Sequence, residues 1–108
     1  MRFEVLLTED AVGDLEAIHE YLTAKDGPSK ANYVLSRLAE EVENLASFPE
    51  RGPHPRELLA LGIREYRQVF FKPYRLIYRV TEKRVYIYLI VDGRRDMQTL
   101  LARRLFAA

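Results

Sequence analysis

The strongest constraint on the fold comes from residues 74–96, YRLIYRVTEKRVYIYLIVDGRRD, in which apolar and polar side chains alternate in two runs. Alternation over residues 74–80 and again over residues 85–91 predicts two strands, joined by a short turn. One face of this hairpin is expected to be apolar and to join the core. The other face carries arginine, tyrosine and isoleucine side chains: Arg75, Ile77, Arg79, Tyr86, Tyr88 and Ile90.

The first half of the chain has the periodicity of helices. Residues 2–7 are typical of a short strand, and Thr8 follows them as a helix N-cap. The amphipathic helix predicted after this cap places Asp14 on or near its solvent side. A second helix is predicted to begin at Pro28 or Ser29, because proline fits a first helical turn. The short link between the two predicts an antiparallel helix hairpin.

The middle of the chain connects these helices to the strands. Three prolines between residues 48 and 55 predict a loop, and residues 63–71 are interpreted as a further strand. Asp96 is placed to cap a final helix. The sequence therefore predicts a single domain of 108 residues in the α+β class. Its parts are a small antiparallel sheet (a β-meander plus the N-terminal strand), an N-terminal helix hairpin packed on one face, and a short C-terminal helix.

Composition restricts the possible chemistry. The chain has no cysteine, and its two histidines have no ligand residues beside them, so neither a metal site nor a cofactor is expected. No signal-peptide pattern and no apolar run of about 20 residues is present, which excludes a membrane partner and predicts a cytoplasmic location.

The charges are divided along the chain. Residues 1–50 carry four basic and eleven acidic side chains, whereas residues 51–108 carry thirteen basic and five acidic ones. A basic second half suggests a polyanion or an acidic protein as its partner. The alternative is that helices collect acids and strands collect arginines on solvated surfaces.

Four stretches are spread along the chain from residue 6 to residue 105: LLTEDAVGDLEAIHEYL, FPERGPHPREL, YRLIYRV and YLIVDGRRDMQTLLARRL. In this order they resemble the ParE/RelE superfamily of toxins from bacterial type II toxin–antitoxin systems. The resemblance implies the fold predicted above and a cognate antitoxin that wraps the toxin in a hetero-oligomeric complex. It also implies one of two activities, since RelE-like members cut messenger RNA on the ribosome and ParE-like members poison DNA gyrase.

The residues that the resemblance places in a RelE-like catalytic site are incomplete. Metal-free RNA cleavage requires a base, cations for the developing charge and a proton donor. Arg75 and Arg95 match two arginine positions and Arg67 stands near a lysine position, but Leu101 occupies the place of the aromatic hydroxyl. Arginine is a poor base because its pKa lies above about 12. Three tyrosines remain as alternative acids or bases: Tyr66, Tyr86 and Tyr88.

This comparison favours a ParE-like toxin that acts on gyrase by binding and is not an enzyme. The cations expected to bind the target follow the last strand: Arg94, Arg95, Arg103 and Arg104. The alternative is a RelE-like endonuclease that uses Arg67, Arg75 and Arg95 on ribosome-bound messenger RNA. A further alternative is an attenuated toxin that acts only as the partner of its antitoxin.

The antitoxin is expected to bind the arginine and tyrosine face of the strand hairpin. With the helices on one side of the sheet, this face should be less covered, and apolar residues there stand beside arginines. The expected contact residues are Arg75, Ile77, Arg79 and Ile90. Alanine at Arg75 and Arg79 is then expected to weaken antitoxin binding more than alanine at Lys25 and Lys30.

Overall fold

The computed structural model describes residues 2–106, which form four helices and four strands. In chain order these are β1 (Glu4–Leu7), α1 (Glu9–Asp26), α2 (Pro28–Asn44), α3 (Arg56–Leu59), β2 (Tyr66–Phe71), β3 (Tyr74–Thr81), β4 (Arg84–Asp92) and α4 (Met97–Phe106). The predicted order of elements is confirmed, with the single turn α3 lying between the helix hairpin and the three consecutive strands.

The four strands form one sheet in the order β1-β4-β3-β2. Strands β2, β3 and β4 are antiparallel neighbours, which confirms the meander. Strand β1 lies parallel to β4, with Glu4 beside Arg84 and Leu7 beside Ile87, so the sheet is mixed and not wholly antiparallel as predicted. The direction of β1 is not set by a tight turn, because the two long helices carry the chain away from the sheet before the meander begins.

The helix hairpin forms where the local signals predict it. The Thr8 hydroxyl accepts a hydrogen bond from the Ala11 N–H at 3.1 Å and caps α1. Gly27 joins the helices at φ 93°, a left-handed conformation that favours glycine, and Pro28 opens α2. Both helices pack on one face of the sheet. The helix-side core includes Ala11, Leu22, Ala31, Val34, Leu38, Val69, Leu76, Tyr78, Ile87 and Ile90.

A β-bulge changes the faces on which the last residues of β4 lie. The register shifts between Ile77 and Tyr78, which leaves Tyr88 as an extra residue in β4. Beyond this point Leu89 lies on the face away from the helix hairpin, and Ile90 joins the helix-side core. The prediction that Ile90 shares a face with the arginines is therefore wrong, because strict alternation assumes an uninterrupted ladder.

The second face of the sheet is also covered. Helices α3 and α4 pack there on a smaller core: Leu58, Tyr66, Ile77, Leu89, Val91, Met97 and Leu101. The expectation that this face is less covered is wrong at Ile77, which is 0% exposed. The α+β fold, with the helix hairpin on one face and a short C-terminal helix, is confirmed. None of the helices within residues 2–106 has the length and apolar character needed to span a bilayer.

Candidate protein-binding groove

A groove of about 600 Å³ lies where the helix hairpin meets one end of the sheet. Its walls are the link between α1 and α2, the turn between β2 and β3, and the loop that follows β4. The lining of this helix–sheet groove includes Tyr21, Leu22, Lys25, Lys30, Tyr33, Val34, Phe71, Lys72, Tyr74, Ile90, Asp92, Arg94 and Arg95. Its volume is sufficient to hold several side chains of a binding partner.

The groove combines a buried apolar floor with exposed aromatic rings. Leu22, Val34 and Ile90 contribute buried apolar surface. Tyr21 and Tyr33 are 61% and 56% exposed, although each carries a large ring. Such residues are enriched in protein interfaces, because an aromatic ring buries a large area on binding at a low entropic cost. This composition is typical of a protein-binding site.

The charged residues of the lining have a positive balance. Five are cationic, Lys25, Lys30, Lys72, Arg94 and Arg95, and three are acidic, Asp14, Asp26 and Asp92. Arg94 donates from Nε and Nη2 to the two carboxylate oxygens of Asp92, at 2.9 and 2.6 Å. These hydrogen bonds lower the pKa of Asp92 and keep its carboxylate ionised. The Arg94 side chain remains 78% exposed and that of Asp92 27%, so the guanidinium is accessible to a partner's carboxylate.

Asp14 and Arg104 join α1 to α4 at the edge of β4. Strand β1 covers only the first half of β4, and residues 88–92 have no described strand on that side. Asp14 accepts the Ile90 N–H at 2.9 Å, and Arg104 donates both to Asp14 and to the Tyr88 carbonyl oxygen. The hydrogen bonds that Arg104 donates to Asp14 raise the pKa of Arg104. Asp14 is 9% exposed, so its predicted solvent position is wrong, and Arg104 is not the free target-binding cation that the sequence suggested.

Arg75 lies at the centre of a buried polar cluster on the other face of the sheet. Its two terminal nitrogens donate to the two carboxylate oxygens of Glu57, each at 2.8 Å, and its Nε donates to Gln68 Oε1 at 2.9 Å. The hydrogen bonds from Arg75 lower the pKa of Glu57. The loop after β4 rests on this side chain, since a Cβ at Gly93 would lie 2.6 Å from Arg75 Cδ. Arg75 is only 9% exposed, which contradicts its expected place on an antitoxin-binding surface.

The three residues of the endonuclease alternative do not converge. Arg67 lies opposite Tyr78 in the ladder, on the helix side, and donates to the Gly52 carbonyl oxygen at 2.9 Å. Arg75 belongs to the opposite face, and Arg95 lines the helix–sheet groove. Catalysis requires the charged groups to surround one reacting phosphate. The expected joint role of these arginines in RNA cleavage is therefore not supported by their geometry.

The sheet tyrosines form a separate cluster with Arg79. The rings of Tyr66 and Tyr88 meet edge to face with centroids 5.6 Å apart, and the Arg79 guanidinium lies 5.8 Å from the Tyr66 centroid. Burial raises the pKa of the Tyr88 hydroxyl, so less of this hydroxyl is deprotonated and able to act as a base at neutral pH. Arg79 is partly exposed, and of the predicted antitoxin contacts it alone remains accessible.

The sequence indicates one wall of the groove and not the other. Of the predicted target-binding cations, Arg94, Arg95 and Arg103 are exposed. The contribution of the helix hairpin was not anticipated. A signal was present, since Tyr21 and Tyr33 are aromatic residues outside the apolar stripes of their helices and close to the lysine-bearing link. Their proximity to the basic loop depends on how the hairpin packs, which periodicity does not describe.

Comparisons with known proteins give a consistent picture. A family model described as the ParE toxin of type II toxin–antitoxin system, parDE, matches residues 5–97. The chain is 28% identical over 100 residues to Toxin ParE3 of Caulobacter vibrioides, covering 93% of this chain and 96% of that protein. A solved structure of the chromosomal ParDE TA system from P. aeruginosa has the same fold, with a TM-score of 0.71 and 22% identity. That match covers 84% of this chain and 96% of the solved one.

Proposed function

Because the chain belongs to the ParE toxin family of type II toxin–antitoxin systems, we propose that it inhibits DNA gyrase by binding and is neutralised by a cognate antitoxin. The observation that carries this proposal is the helix–sheet groove, an apolar channel with exposed aromatic rings and a cationic rim. A surface of this kind binds proteins by contact and charge. The proposal assigns no bond-breaking chemistry to the chain.

The groove supports an acidic, amphipathic antitoxin segment as its occupant. An apolar side chain of the segment would cover the floor, and Tyr21 and Tyr33 would pack against its flanks. Carboxylates of the segment would meet Lys25 and Lys30, together with Arg94 of the loop. A flexible segment that folds on binding suits an open groove of this volume.

Shared residues would explain neutralisation. Arg94 and Arg95 line the groove and are also among the cations that the sequence suggested for target binding. An antitoxin segment in the groove would therefore cover part of the target-binding surface. Arg103 lies further along α4 and is exposed, so it would extend the target surface beyond the groove.

Binding is better supported than RNA cleavage. The guanidinium of Arg75 is engaged by Glu57 and Gln68, and Arg67 is bound to the loop before β2. An RNA phosphate would have to displace the Glu57 carboxylate to reach Arg75, leaving a poorly solvated negative charge. RNA cleavage by a RelE-like mechanism remains the alternative outcome of the test below.

The test combines purified protein with two candidate targets. We expect the chain to inhibit DNA supercoiling by gyrase and to leave messenger RNA intact on translating ribosomes. Adding an acidic antitoxin segment should restore supercoiling. Unchanged supercoiling and cleavage-complex levels would contradict gyrase inhibition, and message cut on the ribosome would favour the RelE-like alternative. Normal growth after induction without antitoxin would indicate an attenuated toxin.

A further inference from the structure

The surface between α3 and α4 carries a second exposed apolar patch. Leu61 and Phe106 are 59% and 50% exposed, and both line a cleft of about 150 Å³. The base of the cleft includes the buried residues Leu58 and Leu101. A space of this size can hold one aromatic ring. This α3–α4 cleft is therefore shaped to receive a single apolar side chain.

Cations accompany this cleft as well. Arg56 opens the turn α3, and Arg103 precedes Phe106 by three residues, which places it on the neighbouring helix surface. Both arginines are exposed. The carboxylate in the cleft lining, Glu57, is already paired with Arg75. Arg56 and Arg103 adjoin the lining residues Glu57 and Ala102 in the chain, so these exposed neighbours are positive and complement an acidic segment.

We propose that the α3–α4 cleft docks the target of the toxin, through an apolar side chain inserted between Leu61 and Phe106 and carboxylates beside Arg56 and Arg103. This inference rests on the proposed function, because it assumes a protein target. Helices α3 and α4 lie on the sheet face opposite the helix hairpin. An antitoxin segment in the helix–sheet groove would cover Arg94 and Arg95 and leave the cleft open, so substitutions in the cleft are expected to weaken target binding without weakening antitoxin binding.

Serine substitutions in the cleft provide the test. Phe106→Ser and Leu61→Ser change exposed side chains, and Phe48→Ser is the matched control because Phe48 is 63% exposed in the loop after α2. We expect each cleft variant to raise the concentration needed for half-inhibition of gyrase supercoiling about tenfold, as loss of a central apolar anchor does. Its affinity for the antitoxin should change less than about twofold, and Phe48→Ser should match the wild type in both assays.

Other results would overturn the proposal. Gyrase inhibition by both cleft variants at the wild-type concentration excludes this surface. A wild-type dimer that Phe106→Ser dissociates in sedimentation, with inhibition unchanged, would identify the cleft as a contact between two copies of this chain. A wild type that arrests growth without affecting gyrase would contradict gyrase inhibition but not the docking proposal. Loss of growth arrest in the cleft variants would then still support docking of the target at the cleft. A wild type that neither inhibits gyrase nor arrests growth overturns both.

Discussion

Arginine has opposite roles in the helix–sheet groove and in the cluster around Arg75. Arg94 in the groove is 78% exposed on its side chain and pairs with Asp92 in solvent, whereas the Arg75 side chain is 10% exposed and bound to Glu57 and Gln68. Arg75 belongs to β3 of the strand hairpin, and Arg94 follows β4 of the same hairpin. They differ because α3 brings a carboxylate to Arg75 and no described helix covers Arg94.

This difference shows what decides whether a cation is available for binding. A buried guanidinium that donates bidentately to a carboxylate stabilises the fold, because removing it leaves a charged partner poorly solvated. A guanidinium paired in solvent gains little from its partner and loses little when another carboxylate replaces it. Exposed arginines of the loop are therefore suited to binding, and Arg75 to holding α3 and the loop on the sheet.

The largest expected effect is on the buried cluster. Arg75→Ala should reduce the free energy of unfolding by about 3 kcal/mol, because Glu57 is left charged and without its partner. Arg79→Ala, on the same face of β3 but partly exposed, should cost less than about 1 kcal/mol. Urea denaturation of both variants measures the difference. Equal stabilities would mean that the two arginines have the same role, and would contradict the distinction between buried and exposed arginines.

The second largest effect on stability is expected at the Asp14–Arg104 pair, which joins α1 to α4. Arg104→Ala should lower the free energy of unfolding by about 2 kcal/mol, since Asp14 is buried and keeps only the Ile90 N–H. Arg103→Ala is the control, because this neighbouring side chain is exposed. Hydrogen exchange should rise most at the amide of Ile90 and in α4. Protection that is unchanged there would show that α4 is held by apolar contacts alone.

Substitutions on the rim of the groove should change the affinity for the antitoxin and not the stability of the fold. Lys30→Glu should weaken binding of an acidic antitoxin segment about tenfold, roughly 1.4 kcal/mol, because it reverses a charge on the groove rim. Arg79→Glu makes the same charge change on the opposite face and should alter the affinity less than about twofold. Calorimetric titration at two salt concentrations separates charge from packing. A larger effect at Arg79 would restore the surface first suggested by the sequence.

The smallest expected effect is on the pH dependence of stability that Glu57 contributes. Arg75 holds the pKa of Glu57 below its ordinary value of 4.5, so the unfolded state binds a proton more readily than the folded state. The stability from Glu57 is therefore complete above this value and is lost as the pH falls through the lowered pKa. Glu57→Gln should be less stable at neutral pH and should lose less stability on acidification. Denaturation midpoints from neutral to acidic pH test this, and parallel curves for both proteins would contradict it.

Local signals predicted much of the fold. The Thr8 cap, the Gly27-Pro28 link and the alternation of β3 each depend on residues close in sequence, and each element forms as expected. For the site, the basic loop with Arg94 and Arg95 was also found, because its charges stand together in the chain. The helix wall of the groove was not found, since it reaches the loop only through packing.

By itself, the sequence determined the order of elements, the α+β class and membership of a toxin family, because periodicity, capping residues and motifs are properties of neighbouring positions. The tertiary structure alone decided which charges remained free. Glu57 reached Arg75, and Asp14 reached Arg104, across separations of 18 and 90 positions. The bulge at Tyr88 moved Ile90 to the other face. Such pairings depend on the register and packing of distant segments, which no local pattern contains.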